Sequence, residues 1–83
     1  MSRITRSDLE KWTADLNARL GRPRPPEPTS IILDYYDGYA LREMQEAGAQ
    51  AFFWPRWERV TGREIAAFIA GMHQALDEKE KPA

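Results

Sequence analysis

Apolar positions recur at helical spacing near the two ends of the chain and at strand spacing between them. Leu9, Trp12, Leu16 and Leu20 follow at intervals of three, four and four, which draws one apolar stripe along a helix. Thr5 stands three residues before Asp8 with Ile4 and Leu9 on either side, a capping box with a hydrophobic staple, and Gly21 supplies a stop; the pattern predicts a helix over 6–20. A second capping box, Thr61-Gly62-Arg63-Glu64, carries Val60 and Ile65 as its staple pair. Behind it Ile65, Phe68, Ile69, Met72 and Leu76 keep one face apolar and predict a helix over 62–79. The polar stretch from Asp77 to the end, with 78–83 as its core, is expected to fray.

Between the helices the punctuation changes. Pro23, Pro25, Pro26 and Pro28 fix φ and remove donors, so 22–30 is an extended connector, a spacer rather than a ligand for aromatic grooves. Ile31-Ile32-Leu33-Asp34-Tyr35-Tyr36 is β-branched and aromatic, and Asp37-Gly38 after it is a strong hairpin signal. Residues 39–46 have helix-favouring side chains but follow that turn; they are assigned as the returning strand, with a third helix over 39–47 as the rival. Ala47-Gly48-Ala49 turns the chain again, and 50–54 forms a third strand ended by Pro55. The fold class is therefore α+β: a three-stranded antiparallel meander with an N-terminal and a C-terminal helix packed on one face, in the order α-β-β-β-α.

A two-residue Asp37-Gly38 loop would pair Tyr36 with Tyr39, Asp34 with Leu41 and Ile32 with Glu43 on one face. The other face would hold Ile31, Leu33, Tyr35, Ala40 and Met44 and suit the helices. The open face would then mix tyrosines with carboxylates. Charge adds to this picture: residues 1–30 carry +2, residues 31–48 carry −3 and residues 49–83 carry none, so the hairpin is the acidic part. The candidate partner-binding residues are Asp34, Tyr36, Asp37, Tyr39, Glu43 and Glu46, since tyrosine is over-used at interfaces. The plain alternative is a solvated sheet face.

Length and composition narrow the classes. Eighty-three residues form a single domain over 1–83, because two cores would need about 50 residues each. Apolar residues at 42% are too many for a disordered chain, and a net charge of −1 gives neither the basic excess of a nucleic-acid binder nor the acidity of a full DNA mimic. No cysteine and one histidine argue against a disulfide framework, a zinc site and cysteine catalysis. His73, without a candidate partner, is expected to be an ordinary helical position, and Asp34 with Glu43 on a flat sheet lacks a pocket that would separate an acid from a base. No catalytic residue, cofactor or metal is therefore expected. Arg56, Arg59 and Arg63 around Trp54 and Trp57 could stack on single-stranded nucleic acid, or stitch strand to helix by cation–π contacts; direct nucleic-acid binding is not favoured. The N-terminus has no apolar signal region and no long apolar run occurs, so a cytoplasmic, non-membrane protein is expected. A monomer is expected in isolation, the alternative being a dimer through the sheet face or the Phe52 to Trp54 edge.

Leu16-Asn17-Ala18-Arg19-Leu20-Gly21-Arg22-Pro23, then Tyr39-Ala40-Leu41-Arg42-Glu43-Met44 and a closing capped helix, together resemble small proteins of tailed bacteriophages and prophages. Those commonly run Thr-Arg-x-Asp-Leu, Leu-Asn, Gly-x-Pro and a Gly-Gly-Tyr-x-Leu hairpin. The chain departs from them with Asp37-Gly38 for Gly-Gly and with Ala47-Gly48-Ala49 for a longer glycine run. Within that group it looks most like anti-CRISPR proteins. The resemblance implies a non-enzymatic inhibitor of a host defence complex, a CRISPR-Cas effector that would be kept from target DNA or from its nuclease, in the host cytoplasm. A nucleic-acid-binding accessory protein and a virion assembly component are the alternatives.

Overall fold

The computed structural model describes residues 3–56 and 58–80. Its elements run α1 (Arg6–Arg19), β1 (Ile31–Tyr35), β2 (Tyr39–Met44), a short 3-10 turn (Glu46–Gly48), β3 (Gln50–Trp54) and α2 (Gly62–Glu80). The strands form one antiparallel sheet in the order β1-β2-β3. The meander with a helix at each end is as the residue pattern predicts, and residues 39–44 are strand rather than helix.

Both capping boxes close. The Thr5 hydroxyl accepts from the Asp8 amide at 3.1 Å while Asp8 accepts from the Thr5 amide at 3.0 Å. Thr61 and Glu64 do the same, at 3.2 Å each way. At the other end of α1, Gly21 takes φ 71° and the Arg22 amide reaches back to the Asn17 carbonyl at 2.8 Å, so the last carbonyls are satisfied by a glycine-dependent cap. Leu9 and Leu16 from α1, Ile31 and Leu41 from the sheet, and Ile65 and Ile69 from α2 make the buried core. At Gly62 an added Cβ would lie 3.1 Å from Leu9 Cδ1 and 3.5 Å from the Tyr39 ring; the start of α2 therefore packs against both α1 and the sheet.

The hairpin register differs by one residue from the two-residue turn expected of Asp37-Gly38. Tyr35 pairs with Tyr39, Leu33 with Leu41 and Ile31 with Glu43, so the loop is Tyr36-Asp37-Gly38. Asp37 and Gly38 both have positive φ, 52° and 132°, and the Tyr36 amide donates to the Gly38 carbonyl at 2.9 Å. A slip of one residue exchanges the faces of β2. Tyr39, Leu41 and Glu43 therefore lie on the helix side with Ile31 and Leu33, and Ala40, Arg42 and Met44 lie on the other side with Ile32 and Asp34. The exchange places Tyr39 and Leu41 against the helices in place of Ala40 and Met44, which buries more apolar surface there. Ala40 and Met44 are buried too, outside that cluster.

Two other boundaries move. β2 ends at Met44, two residues short of 46, because Glu46–Gly48 turns through Ala47 at φ 60° and Gly48 at φ 80°, and the Gln45 amide closes onto the Ala49 carbonyl at 2.7 Å. α2 continues to Glu80 instead of fraying from Asp77: Arg19 in the last turn of α1 pairs with Asp77 and, at 3.3 Å, with Glu80. The same guanidinium lies within hydrogen-bond distance of His73 Nδ1, at 3.0 Å, so His73 has a partner after all. Residues 81–83 of the expected frayed tail, and Trp57, lie outside the described residues.

Candidate functional site

The six residues singled out in the sequence do not form one patch. Asp34, Tyr36, Asp37 and Tyr39 gather at the hairpin end, whereas Glu43 and Glu46 lie toward the opposite end of β2, with Glu43 about 13 Å from Tyr39 at roughly 3.3 Å per strand residue.

At the hairpin end the backbone is held from the side. Val60, just before α2, exchanges both backbone hydrogen bonds with Tyr39, at 2.8 and 2.9 Å, and extends the sheet edge beyond β3. This brings Arg59 beside the loop. Its guanidinium pairs with Asp34 at 2.6 Å and lies 5.8 Å from the Tyr36 ring centroid. A Cβ at Gly38 would fall 2.8 Å from Arg59 Cβ, so the close approach needs glycine there in addition to its positive φ. Tyr36 projects from this braced loop with 76% of its surface exposed, the most exposed large apolar side chain among the described residues. Tyr35 is 51% exposed and packs on Tyr39 with ring centroids 4.7 Å apart. Tyr39 itself is half-buried on the helix side, packed against the core. Asp37 is exposed at the tip.

At the far end Glu43 faces the helix side and is clamped by Arg22, which also donates to the Thr29 carbonyl at 2.8 Å and stacks 5.4 Å from the Phe53 ring. The Arg22 hydrogen bond holds the Glu43 carboxyl below the usual carboxylate range; partial burial works against it, and the Arg22 charge and a hydrogen bond from Gln45 add to it. Glu46 is exposed in the 3-10 turn. Asp34 and Glu43 are thus internal ion-pair partners and not free surface carboxylates.

What the residue pattern missed is the open face of the sheet. Arg42 lies 4.4 Å from the Phe52 ring centroid, donates to Gln50 Oε1 at 3.1 Å and approaches Asp34 to 3.7 Å. Phe52 is 41% exposed. A register shift between Leu41 and Arg42 divides the β3 aromatics: Phe53 and Trp54 both reach Phe68 of α2, at 6.2 Å edge-on and 4.3 Å stacked, and leave Phe52 on the opposite face. Arg42 is the one cation inside the acidic window 31–48, the only sequence signal that could have marked it. Arg59 is engaged with Asp34 rather than presented with Arg56 and Arg63 as a free basic cluster.

Elsewhere a half-open groove of about 360 Å³ runs between the helices, lined by Trp12, Asp15, Ala66, Ile69, Ala70 and His73. Among the described residues, no three His, Asp or Glu side chains gather as metal ligands, and no helix is long and apolar enough to cross a membrane. Compared with protein-family models, characterised proteins and solved structures, the chain finds no match.

Proposed function

We propose that this chain is a non-enzymatic protein that binds and inhibits a host defence complex, with a CRISPR-Cas effector as its target and the bacterial cytoplasm as its place of action. The observation that carries the protein-binding part is Tyr36, 76% exposed on a loop braced by the Arg59–Asp34 pair and the Tyr39–Val60 bridge. A large amphipathic side chain on a rigid tip loses little entropy when it docks, which is how tyrosine anchors interfaces. The class of target rests on the resemblance to phage inhibitors. The chain acts as a monomer, with the hairpin tip, Tyr36 and Asp37 foremost, entering a pocket of the target.

The test is co-purification of the tagged protein with CRISPR effector complexes expressed in a bacterial host, followed by target-DNA binding of the captured complex. Capture with loss of DNA binding or of nuclease recruitment supports the proposal. Tyr36→Ala, whose side chain contributes little to the core, is expected to abolish capture while the circular dichroism spectrum stays unchanged. Capture undiminished by Tyr36→Ala removes the hairpin tip from the interface. Failure of every effector to co-purify, with direct DNA binding or incorporation into phage particles instead, overturns the inhibitor reading.

A further inference from the structure

We infer that the open face of the sheet, centred on Arg42, receives a carboxylate-bearing, partly apolar segment of a protein partner. This deepens the protein-binding reading by giving the partner's chemistry, and it reverses the charge expected from the sequence window alone. Arg42 has five N–H donors. One, on Nη1, reaches Gln50 Oε1 at 3.1 Å; Nε is buried, out of an incoming partner's reach and 3.7 Å from an Asp34 already committed to Arg59 at 2.6 Å, so it is the Nη groups of this 26% exposed side chain that are left for a partner. The guanidinium carbon lies over the Phe52 ring at 4.4 Å, a contact that steadies the fork for a planar acceptor. Ile32, opposite Arg42 in the ladder, and the exposed Phe52 supply an apolar floor on either side. Two arginines and one aspartate leave this face with a residual positive charge, complementary to an acidic segment and not to a Lys/Arg-lined nucleic-acid channel. A single excess charge is too little to hold a polyphosphate backbone, which favours a protein carboxylate over a nucleic acid.

The experiment uses the whole chain and three labelled probes at low salt: a peptide of alternating Glu and Leu, its Lys and Leu counterpart, and a short oligo-dT strand, read by fluorescence anisotropy. The Glu–Leu peptide is expected to bind, and the other two to bind far more weakly. Arg42→Gln is expected to weaken the Glu–Leu complex roughly ten-fold, as loss of one charge-assisted pair would. Arg42→Lys, which keeps the charge and the fold but not the fork, is expected to fall between and stands in should the glutamine variant not fold. No binding of the Glu–Leu peptide, equal or tighter binding of either other probe, or an unchanged affinity in a folded Arg42 variant overturns the inference. The peptide result does not depend on any effector: capture of an effector without Arg42-dependent peptide binding sinks this inference alone, and the converse sinks the choice of target alone.

Discussion

Asn17→Ala is the most demanding test of how the first helix is joined to the sheet. The Asn17 side chain is only 4% exposed and makes both hydrogen bonds that a neighbouring strand would make to Ile31: its Oδ1 accepts from the Ile31 amide, and its Nδ2 donates to the Ile31 carbonyl, each at 2.7 Å. One amide thus satisfies the outer edge of β1 where α1 crosses it. Alanine leaves an amide and a carbonyl orphaned in a place water does not reach, at about 1–2 kcal/mol for each such neutral backbone group, so a loss of about 2–4 kcal/mol is expected. For a domain of this size the whole stability is roughly 4–12 kcal/mol. The midpoint of thermal unfolding should therefore fall by about 10–25 °C. The assay is circular dichroism at 222 nm during heating, with urea titration to obtain the free energy. Asn17→Asp sharpens it: the carboxylate keeps the acceptor for the Ile31 amide but faces the carbonyl without a proton, so that variant should recover stability relative to the parent as the pH falls and the acid becomes a donor. A drop of less than about 4 °C for Asn17→Ala would mean that the Ile31 groups find other partners, and the joint would not rest on this residue.

The hairpin register is tested by a pair of truncations: Leu41→Ala should cost about 2–5 kcal/mol as a core cavity, and Ile32→Ala well under half of that, whereas a two-residue turn would place Leu41 beside Ile32 on the open face and make the two costs similar. Asp34→Lys sets a third cation against Arg42 and Arg59 at a site 28% exposed, and should destabilise by about 2 kcal/mol in chemical denaturation, so its effect on binding cannot be separated from its effect on the fold. The lowered Glu43 carboxyl fixes the sign of a pH effect: its contribution is complete above the ordinary glutamate value of 4.5 and is lost as the pH falls through the lower folded-state value. Acid unfolding should accordingly show a shallower loss below pH 4.5 in Glu43→Gln than in the parent chain, and parallel curves would count against the Arg22 clamp.

How far the sequence could be followed is set by the range of the interactions involved. Both helices and their starts were legible because a capping box and an apolar stripe are written within a few residues of one another, as at Thr5 with Asp8 and Thr61 with Glu64. The three strands were legible for the same reason, but the register was not. Asp37-Gly38 suits a two-residue loop locally, and what decides for three residues is distant: Val60 claims the Tyr39 backbone and Arg59 packs over Gly38, both some twenty residues further along. The candidate site suffered most from this. A window sum of −3 over residues 31–48 suggests an acidic surface, yet two of its four carboxylates are paired with arginines outside the window, Asp34 with Arg59 and Glu43 with Arg22. Only Asp37 and Glu46 are left without an ion-pair partner among the described residues, and they stand at opposite ends of β2. Charge therefore cannot be what concentrates binding at the hairpin. Asp34 and Glu43 act inward, the one bracing the loop and the other clamping the connector, so the proposed contact rests on the apolar side chain of Tyr36 and not on the acidic window.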